Sequence, residues 1–276
     1  MVGRLGLGSS LPAALVAGLL VLLGGPGAQA AGACGSTALA HRGAHTGTVD
    51  ENTIESIERA HQLGAWTEND VFLTKDGKFV VIHNQGIGHT TNCVGDVKNW
   101  LMADIKQQCH TTPNGMQIPA APEAFATLAG NPGQLMNLEV KGPGWFANGN
   151  AKLVELYEAA VSAGVGGRAF FSNDATYAIL TGLRDSAPDA KTAWKPDSDE
   201  PDFSTAHASQ LSVNAVMAWG SQWTSQKVTA FKNAGFRPWG KRSDNQSVWR
   251  HNWKIGLKAQ LTNLPSIYRT WCNSVA

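Results

Sequence analysis

Glu68-Asn69-Asp70-Val71-Phe72-Leu73-Thr74-Lys75-Asp76-Gly77-Lys78-Phe79-Val80-Val81-Ile82-His83 reads as two β-rich runs folded back on each other at Asp76-Gly77, a strong short hairpin signal. That reading decides the fold, because a hairpin return is not a β/α unit of its own. The other strand-like runs are Thr37–Arg42, Ala65–Thr74, Leu135–Lys141, Ala169–Ser172, Lys191–Trp194, Ala215–Trp219, Phe236–Gly240 and Leu257–Thr262. Between them lie helical patterns such as Thr53–Leu63, Ala151–Ala163, Thr176–Ser186, Ser225–Ala234 and Val248–Ile255, with Ile54, Ile57 and Ala60 spaced along one apolar face. With Phe79–His83 assigned to the hairpin, eight units remain, the number in a (β/α)8 TIM barrel. An open doubly wound sheet is the competing architecture. It leads one to expect a glycine-rich phosphate loop after the first strand, and Gly43-Ala44-His45-Thr46-Gly47 does not match one.

With Asp76 and Gly77 as the two central turn residues, Lys75 faces Lys78, Leu73 faces Val80 and Asp70 faces His83. Glu68 and Asp70 project from one face of their strand, and directly opposed residues have Cβ atoms roughly 4.5–5.5 Å apart. The hairpin is therefore expected to gather two carboxylates and an imidazole. Carboxylates at i and i+2 suit a hard divalent cation, whereas a histidine beside it suits proton transfer. Barrel sites lie at the C-terminal ends of strands, where His41 and Arg42 end the first strand and Glu139 and Lys141 the third. Three carboxylates, Glu68, Asp70 and Glu139, can hold one cation with positions left open. Arg42 and Lys141 are cations of the kind that clamp phosphoryl oxygens. Their competing use is plain ion pairing, of Arg42 with Glu51 or Glu68 and of Lys141 with Glu139.

The succession of motifs resembles the glycerophosphodiester phosphodiesterase family. The residues are Ala38-Leu39-Ala40-His41-Arg42-Gly43, Glu51-Asn52-Thr53, Gly64-Ala65, Glu68-Asn69-Asp70-Val71, Leu73-Thr74-Lys75-Asp76-Gly77, Val80-Val81-Ile82-His83, Thr90-Thr91, Asn137-Leu138-Glu139-Val140-Lys141 and Leu261-Thr262-Asn263-Leu264-Pro265. The resemblance is dense up to His83 and thin between Phe171 and Gly256. It implies a metal-dependent phosphodiesterase that splits glycerophosphodiesters into glycerol 3-phosphate and an alcohol, in which a neighbouring glycerol hydroxyl attacks to give a cyclic phosphate. It makes His41 and His83 the acid/base pair and Glu68, Asp70 and Glu139 the ligands of one Mg2+ or Ca2+. Arg42 and Lys141 become phosphate contacts, and Glu51 a position near the site, as ligand or as support for one. A related reading is a phospholipase D-like enzyme acting on lysophospholipids or sphingolipids. Asp50 stands where the family usually has proline, Asn84 where aspartate is usual, and Asn263 where aspartate is frequent.

Residues 1–30 read as a secretory signal peptide: Arg4 is the only charge, Leu11 to Leu23 is the apolar core and Ala28-Gln29-Ala30 the cleavage site. The apolar run is shorter than the ~18 residues of a membrane span, so export without a stable membrane anchor is expected. The remaining chain, residues 31–276, is expected to be one barrel domain and a monomer. It carries Lys+Arg and Asp+Glu in equal numbers once Arg4 is removed, which speaks against nucleic acid as a partner and for a small or lipid-derived phosphodiester. Four cysteines in an exported chain imply two disulfides. Three pairings are possible; Cys93–Cys109 and Cys34–Cys272 are expected, the second because first and last strands of a closed barrel are neighbours. The segment 86–131 is long for a β/α connection and reads as an insertion over the barrel mouth. Trp145, Trp219 and Trp239 stand at or just past strand ends, where they would form either a choline-type cage or core.

Overall fold

A computed structural model describes residues 33–145, 150–173 and 177–275. The strands are β1 (Thr37–His41), β2 (Trp66–Leu73), β3 (Phe79–Val81), β4 (Met136–Val140), β5 (Ala169–Asn173), β6 (Lys191–Trp194), β7 (Ala215–Ala218), β8 (Arg237–Gly240) and β9 (Ala259–Thr262). β1 pairs in parallel with both β2 and β9, which closes the sheet, while β3 runs antiparallel along β2. The result is an eight-stranded parallel barrel with helices between strands and one extra strand, a (β/α)8 TIM barrel. The signal-peptide reading of residues 1–30 and the helix start at Thr176 lie outside the described residues.

Each barrel strand is buried on both faces, and the alternation of residue types follows from that. In β4, Met136, Leu138 and Val140 turn outward and pack with Phe125, Leu153 and Leu156 of the surrounding helices. Asn137 lies between them in sequence, buried, with its Nδ2 donating to Ser172 Oγ at 2.9 Å. A separate apolar cluster that includes Leu39, Phe170, Met217, Trp239 and Leu261 draws on five different strands and so fills the barrel interior. Trp239 sits 5.1 Å from Phe170 and 6.1 Å from Trp66, ring centre to ring centre. Burial of a ring of this size contributes about 5 kcal/mol by area.

The hairpin forms, one residue out of the expected register. Leu73 pairs with Phe79, Phe72 with Val80 and Val71 with Val81. Thr74 N donates to Lys78 O, so the loop holds three residues, Lys75-Asp76-Gly77, with Gly77 at φ +66°. That is the three-residue loop in which glycine takes the left-handed position. Thr74 fixes it: its Oγ1 donates to Asp76 Oδ1 at 2.7 Å and accepts from Lys78 N at 2.9 Å. Asp70 consequently receives Ile82 N on its carbonyl, and His83 does not oppose it. A one-residue slip exchanges the faces of a strand, and His83 reaches the mouth only because β3 has ended at Val81.

The insertion approaches the rim from one side. Ile87, Val97, Met102, Ile105 and Ile118 pack on Phe72, Val80 and Ile82 of the hairpin, with Cys93–Cys109 inside the same cluster. Asn114 and Thr111 hold Asp50: Asn114 Nδ2 donates at 2.7 Å, Asn114 N at 3.0 Å and Thr111 Oγ1 at 2.6 Å. The helix Ala121–Ala129 that ends this segment belongs to the barrel's outer layer, against Met136 and Leu138. Both expected disulfides are present; Cys34–Cys272 ties the segment before β1 to the closing helix Pro265–Ser274. Among the described residues no helix is long and apolar enough to cross a membrane.

Candidate active site

His41 ends β1, and the chain then turns sharply. Arg42 has φ +57° and Gly43 φ +78°, and a Cβ at Gly43 would lie 2.2 Å from Ser56 Oγ, so only glycine fits. The turn is held by Arg42 O, which accepts from Asn52 N at 2.9 Å, and by Gly43 N, which donates to Glu68 O. Thr53 caps the helix Ile54–Gln62, its side chain accepting from Ser56 N while Ser56 Oγ accepts from Thr53 N. The Arg42 guanidinium lies on Glu51, Nη1 at 3.0 and 2.9 Å from the two carboxylate oxygens, with Nε 3.8 Å from Asp70. Glu51 thus steadies Arg42, and Asp50, anchored by the insertion, steadies Glu51 in turn.

Glu68, Asp70 and Glu139 are brought together as expected. β2 and β4 pair with Asp70 beside Glu139, and one ligand oxygen from each of the three lies within 4.8 Å of the others. All three are buried, Glu139 the most exposed at 5%. Lys141 Nζ is 2.9 Å from Asp70 and 3.5 Å from Glu139, and Lys195 Nζ is 2.5 Å from Glu139. Burial would raise the Glu139 carboxyl, yet Lys195 and Lys141 hold it below the usual range. For Glu68 burial wins: together with the charges of Asp70 and Glu139 it pushes the carboxyl well above the usual range. Glu68 accepts Arg42 N at 3.2 Å on one oxygen, and its other oxygen is buried without a hydrogen bond among the described residues. An orphaned carboxylate oxygen beside two further carboxylates, with an all-oxygen donor set, fits a hard divalent cation.

His41 is held by its neighbours on the other side of the mouth. Its Nδ1 stands 2.6 Å from Asn263 Oδ1, while Asn263 Nδ2 donates to Asp244 at 2.6 Å and Asn263 N donates to the same carboxylate at 2.8 Å. The Asp244 carboxylate can only accept, so the amide of Asn263 must turn its nitrogen there and its oxygen to His41. His41 therefore carries its proton on Nδ1 and presents a bare Nε2. Burial lowers its pKa to about 4; the Asn263 hydrogen bond works against that shift and Arg42 with it. His83 stands 3.1 Å from Asn84 Oδ1 through Nδ1 and lines the same cavity.

This mouth cavity has a volume of about 630 Å³ and is lined by His41, Arg42, Glu51, Glu68, His83, Glu139 and Lys141 from the expected set. Asp70 lies beneath it, bonded to Lys141 and to Asn52 Nδ2 at 3.0 Å. Asn52 is a positioning residue that residue-by-residue reasoning passed over. Its Oδ1 also accepts from Asp70 N at 3.1 Å, and its backbone takes φ +56°. A simple signal finds the rest: the residue directly after a barrel strand enters the mouth. Arg42, Lys141, Lys195, Trp219, Lys241 and Asn263 follow β1, β4, β6, β7, β8 and β9, and all six line the cavity. Of the three tryptophans, Trp219 reaches the mouth, with Lys241 Nζ 5.2 Å from its ring centre. Trp239 fills the barrel interior, and Trp145 is buried against Phe79, so neither forms a cage.

A sequence profile of the glycerophosphoryl diester phosphodiesterase family matches residues 41–256. Over 109 residues the chain is 41% identical to a glycerophosphodiester phosphodiesterase of Caldanaerobacter subterraneus subsp. tengcongensis, a match that covers 37% of this chain and 44% of that one. Over 70 residues it is 47% identical to a glycerophosphodiester phosphodiesterase of Bacillus subtilis, covering 25% and 24%. The aligned stretches thus span less than half the length of these relatives. In fold, the chain is similar to a Parabacteroides distasonis glycerophosphodiester phosphodiesterase, at TM-score 0.75 and 18% identity over 87% of this chain and 98% of that one. It is similar too to an Oleispira antarctica phosphodiesterase solved with the product sn-glycerol-3-phosphate, at TM-score 0.70 and 23% identity over 85% and 96%.

Proposed function

The chain belongs to the glycerophosphoryl diester phosphodiesterase family, and from that membership we propose that it hydrolyses glycerophosphodiesters to glycerol 3-phosphate and an alcohol, outside the cell and with one divalent cation, Mg2+ or Ca2+. The observation that carries the reading is the convergence of Glu68, Glu139, His41 and His83 on one cavity, with Asp70 at its floor. A cation held by Glu68, Asp70 and Glu139 would supply Lewis-acid polarisation of the phosphoryl group. His41, neutral and bare at Nε2, takes the proton of the attacking hydroxyl. His83 gives a proton to the departing alcohol oxygen as its bond to phosphorus breaks and that of the attacking glycerol hydroxyl forms; a water that His83 then deprotonates opens the cyclic phosphate while His41 returns its proton to the released glycerol oxygen, which gives glycerol 3-phosphate and restores both histidines. Arg42 and Lys141 place positive charge where the phosphoryl oxygens gather it.

Two disulfides and the leader-like residues 1–30 support an oxidising, extracellular compartment. The lysolipid alternative asks for an acyl chain beside the mouth; the adjoining cavity is walled by Trp219 and Val248 as well as by Lys241 and Arg242, so a substrate panel separates the two readings. The test is purified protein with glycerophosphodiesters, a lysophospholipid and sphingomyelin, each with Mg2+ or Ca2+. Release of glycerol 3-phosphate is expected. Cleavage of the lysophospholipid or sphingomyelin alone moves the assignment to the lipid enzymes, and no cleavage with either cation overturns it.

A further inference from the structure

Asp244 stands just before the helix Gln246–Lys254, where an acidic residue ordinarily reads as a helix cap. Asn245 caps this helix instead, its Oδ1 accepting from Ser247 N at 2.8 Å. The Asp244 carboxylate turns to the end of β9. Its Oδ1 accepts from Thr262 Oγ1 and from Asn263 N, both at 2.8 Å, and its Oδ2 accepts from Asn263 Nδ2 at 2.6 Å. The loop that carries it is pinned at Ser243, whose N donates to Leu261 O at 3.0 Å and whose O accepts from Trp249 Nε1 at 2.7 Å. Burial raises the Asp244 carboxyl, but the hydrogen bonds from Thr262 and Asn263 and the charge of Arg242 hold it below the usual range. Asn263 stands where aspartate is frequent in the family, and Asp244 supplies a carboxylate one step further from His41.

Resting on the diesterase reading above for the role of His41, we propose that Asp244 is a positioning residue of the reaction, acting through the Asn263 amide to dictate which His41 nitrogen is free to take a proton. The two oxygens of Asp244 are not equivalent. Asn263 N can only donate, so an asparagine at position 244 must keep its oxygen on that side and turn its nitrogen to the Asn263 side chain. The Asn263 amide then gives its oxygen to position 244 and its nitrogen to His41. Nδ1 of His41 becomes an acceptor, and the imidazole proton moves to Nε2. One oxygen exchanged for nitrogen, beyond contact with the imidazole, thus inverts the tautomer while every hydrogen bond is kept. The reciprocal exchange undoes it. In Asp244→Asn/Asn263→Asp, the new amide nitrogen donates to the new carboxylate, whose other oxygen again accepts from Nδ1 of His41.

The test reads the His41 tautomer by imidazole nitrogen NMR of isotope-labelled protein in Mg2+ near neutral pH, the resonances assigned by their loss in His41→Gln, with kcat and KM measured beside it. The parent is expected to carry its proton on Nδ1. Asp244→Asn should move the proton to Nε2 and lower kcat at least ~100-fold, the scale of a lost general base, with KM within about threefold. The double exchange should return the proton to Nδ1 and recover kcat to within about tenfold of the parent, a rescue that a merely structural role for Asp244 does not produce. An unmoved tautomer in Asp244→Asn, a parental kcat with the tautomer inverted, or a double variant no better than the single one overturns the proposal. If the parent hydrolyses no diester while the tautomer follows the two substitutions, the diesterase reading fails and the control of His41 by Asp244 stands.

Discussion

The Oδ1 of Asn263 stands 2.6 Å from Nδ1 of His41 and cannot be exchanged for the amide nitrogen, because Asp244 accepts from that nitrogen at 2.6 Å. The tautomer of the histidine is set two residues away from it. Asn263→Ala should lower kcat about 10–100-fold with a small change in KM, since orientation of the base is lost and substrate contacts are kept. Asn263→Asp keeps an acceptor and adds a charge that raises the His41 pKa. Its activity should persist while the acid limb of the pH–rate profile moves to higher pH. An alanine variant with parental kcat would show that His41 needs no such support.

Chelation should abolish activity, and Mg2+ or Ca2+ should restore it. Glu139→Ala should bind the cation at least tenfold more weakly by calorimetry, as should Glu68→Gln, because the first removes one of three oxygen donors and the second the negative charge of another. Full turnover after exhaustive dialysis against EDTA would reject the cation altogether.

His41→Ala and His83→Ala should each fall at least ~100-fold in kcat with folding and cation content intact. The double variant should be little worse than the poorer single one, because an acid and a base of one reaction act as a unit. Near-parental kcat in His83→Ala would leave that residue as part of the wall.

Lys195 is the buried partner of Glu139. Lys195→Met should cost the cation-free protein about 3 kcal/mol, the scale for breaking a buried ion pair. Saturating Mg2+ should recover a good part of that loss, since the cation takes over the charge the lysine neutralised. Denaturant titrations with and without Mg2+ give both numbers; equal losses in the two conditions would separate Lys195 from the cation site.

His61 is buried in the helix Ile54–Gln62 with neither ring nitrogen bonded among the described residues, and burial with the charge of Arg168 lowers its pKa from 6.5 to about 4. The unfolded chain gains a proton there near pH 6.5, whereas the folded chain waits until about pH 4. Stability present above pH 6.5 is therefore lost as pH falls through this window and levels off below it. His61 alone accounts for up to about 3 kcal/mol. His61→Leu should flatten the slope of stability against pH between 6.5 and 4 by about half, the remainder belonging largely to His41, which is shifted in the same direction.

Strand ends were legible because a barrel strand alternates apolar residues that face the helices with inward residues whose chemistry gathers toward its C-terminal end, as in Met136-Asn137-Leu138-Glu139-Val140-Lys141. The hairpin register was not: Asp76-Gly77 signals a turn, but Thr74 decides its length through a side-chain hydrogen bond that pattern alone does not reveal. Lys195 escaped for another reason. It sits at the head of a proline-rich loop and reads as an ordinary surface cation, and only the side-by-side order of β4, β5 and β6 in the curved sheet brings it to Glu139, distant in sequence. For Trp239 the sequence left cage and core open, and depth along the strand decides between them: the ring fills the barrel interior below the mouth.

Cys34 and Cys272 stand with Cα atoms 5.1 Å apart, where β1 and β9 already pair. Topologically the folded polypeptide is a closed circle of repeating modules, and the cystine is the link that completes it. Such a circle has a fixed cyclic order and no privileged starting point. A short peptide joining the two positions, with the chain opened instead in an exposed turn between a helix and the next strand, should give a permuted protein with the same mouth and the same chemistry.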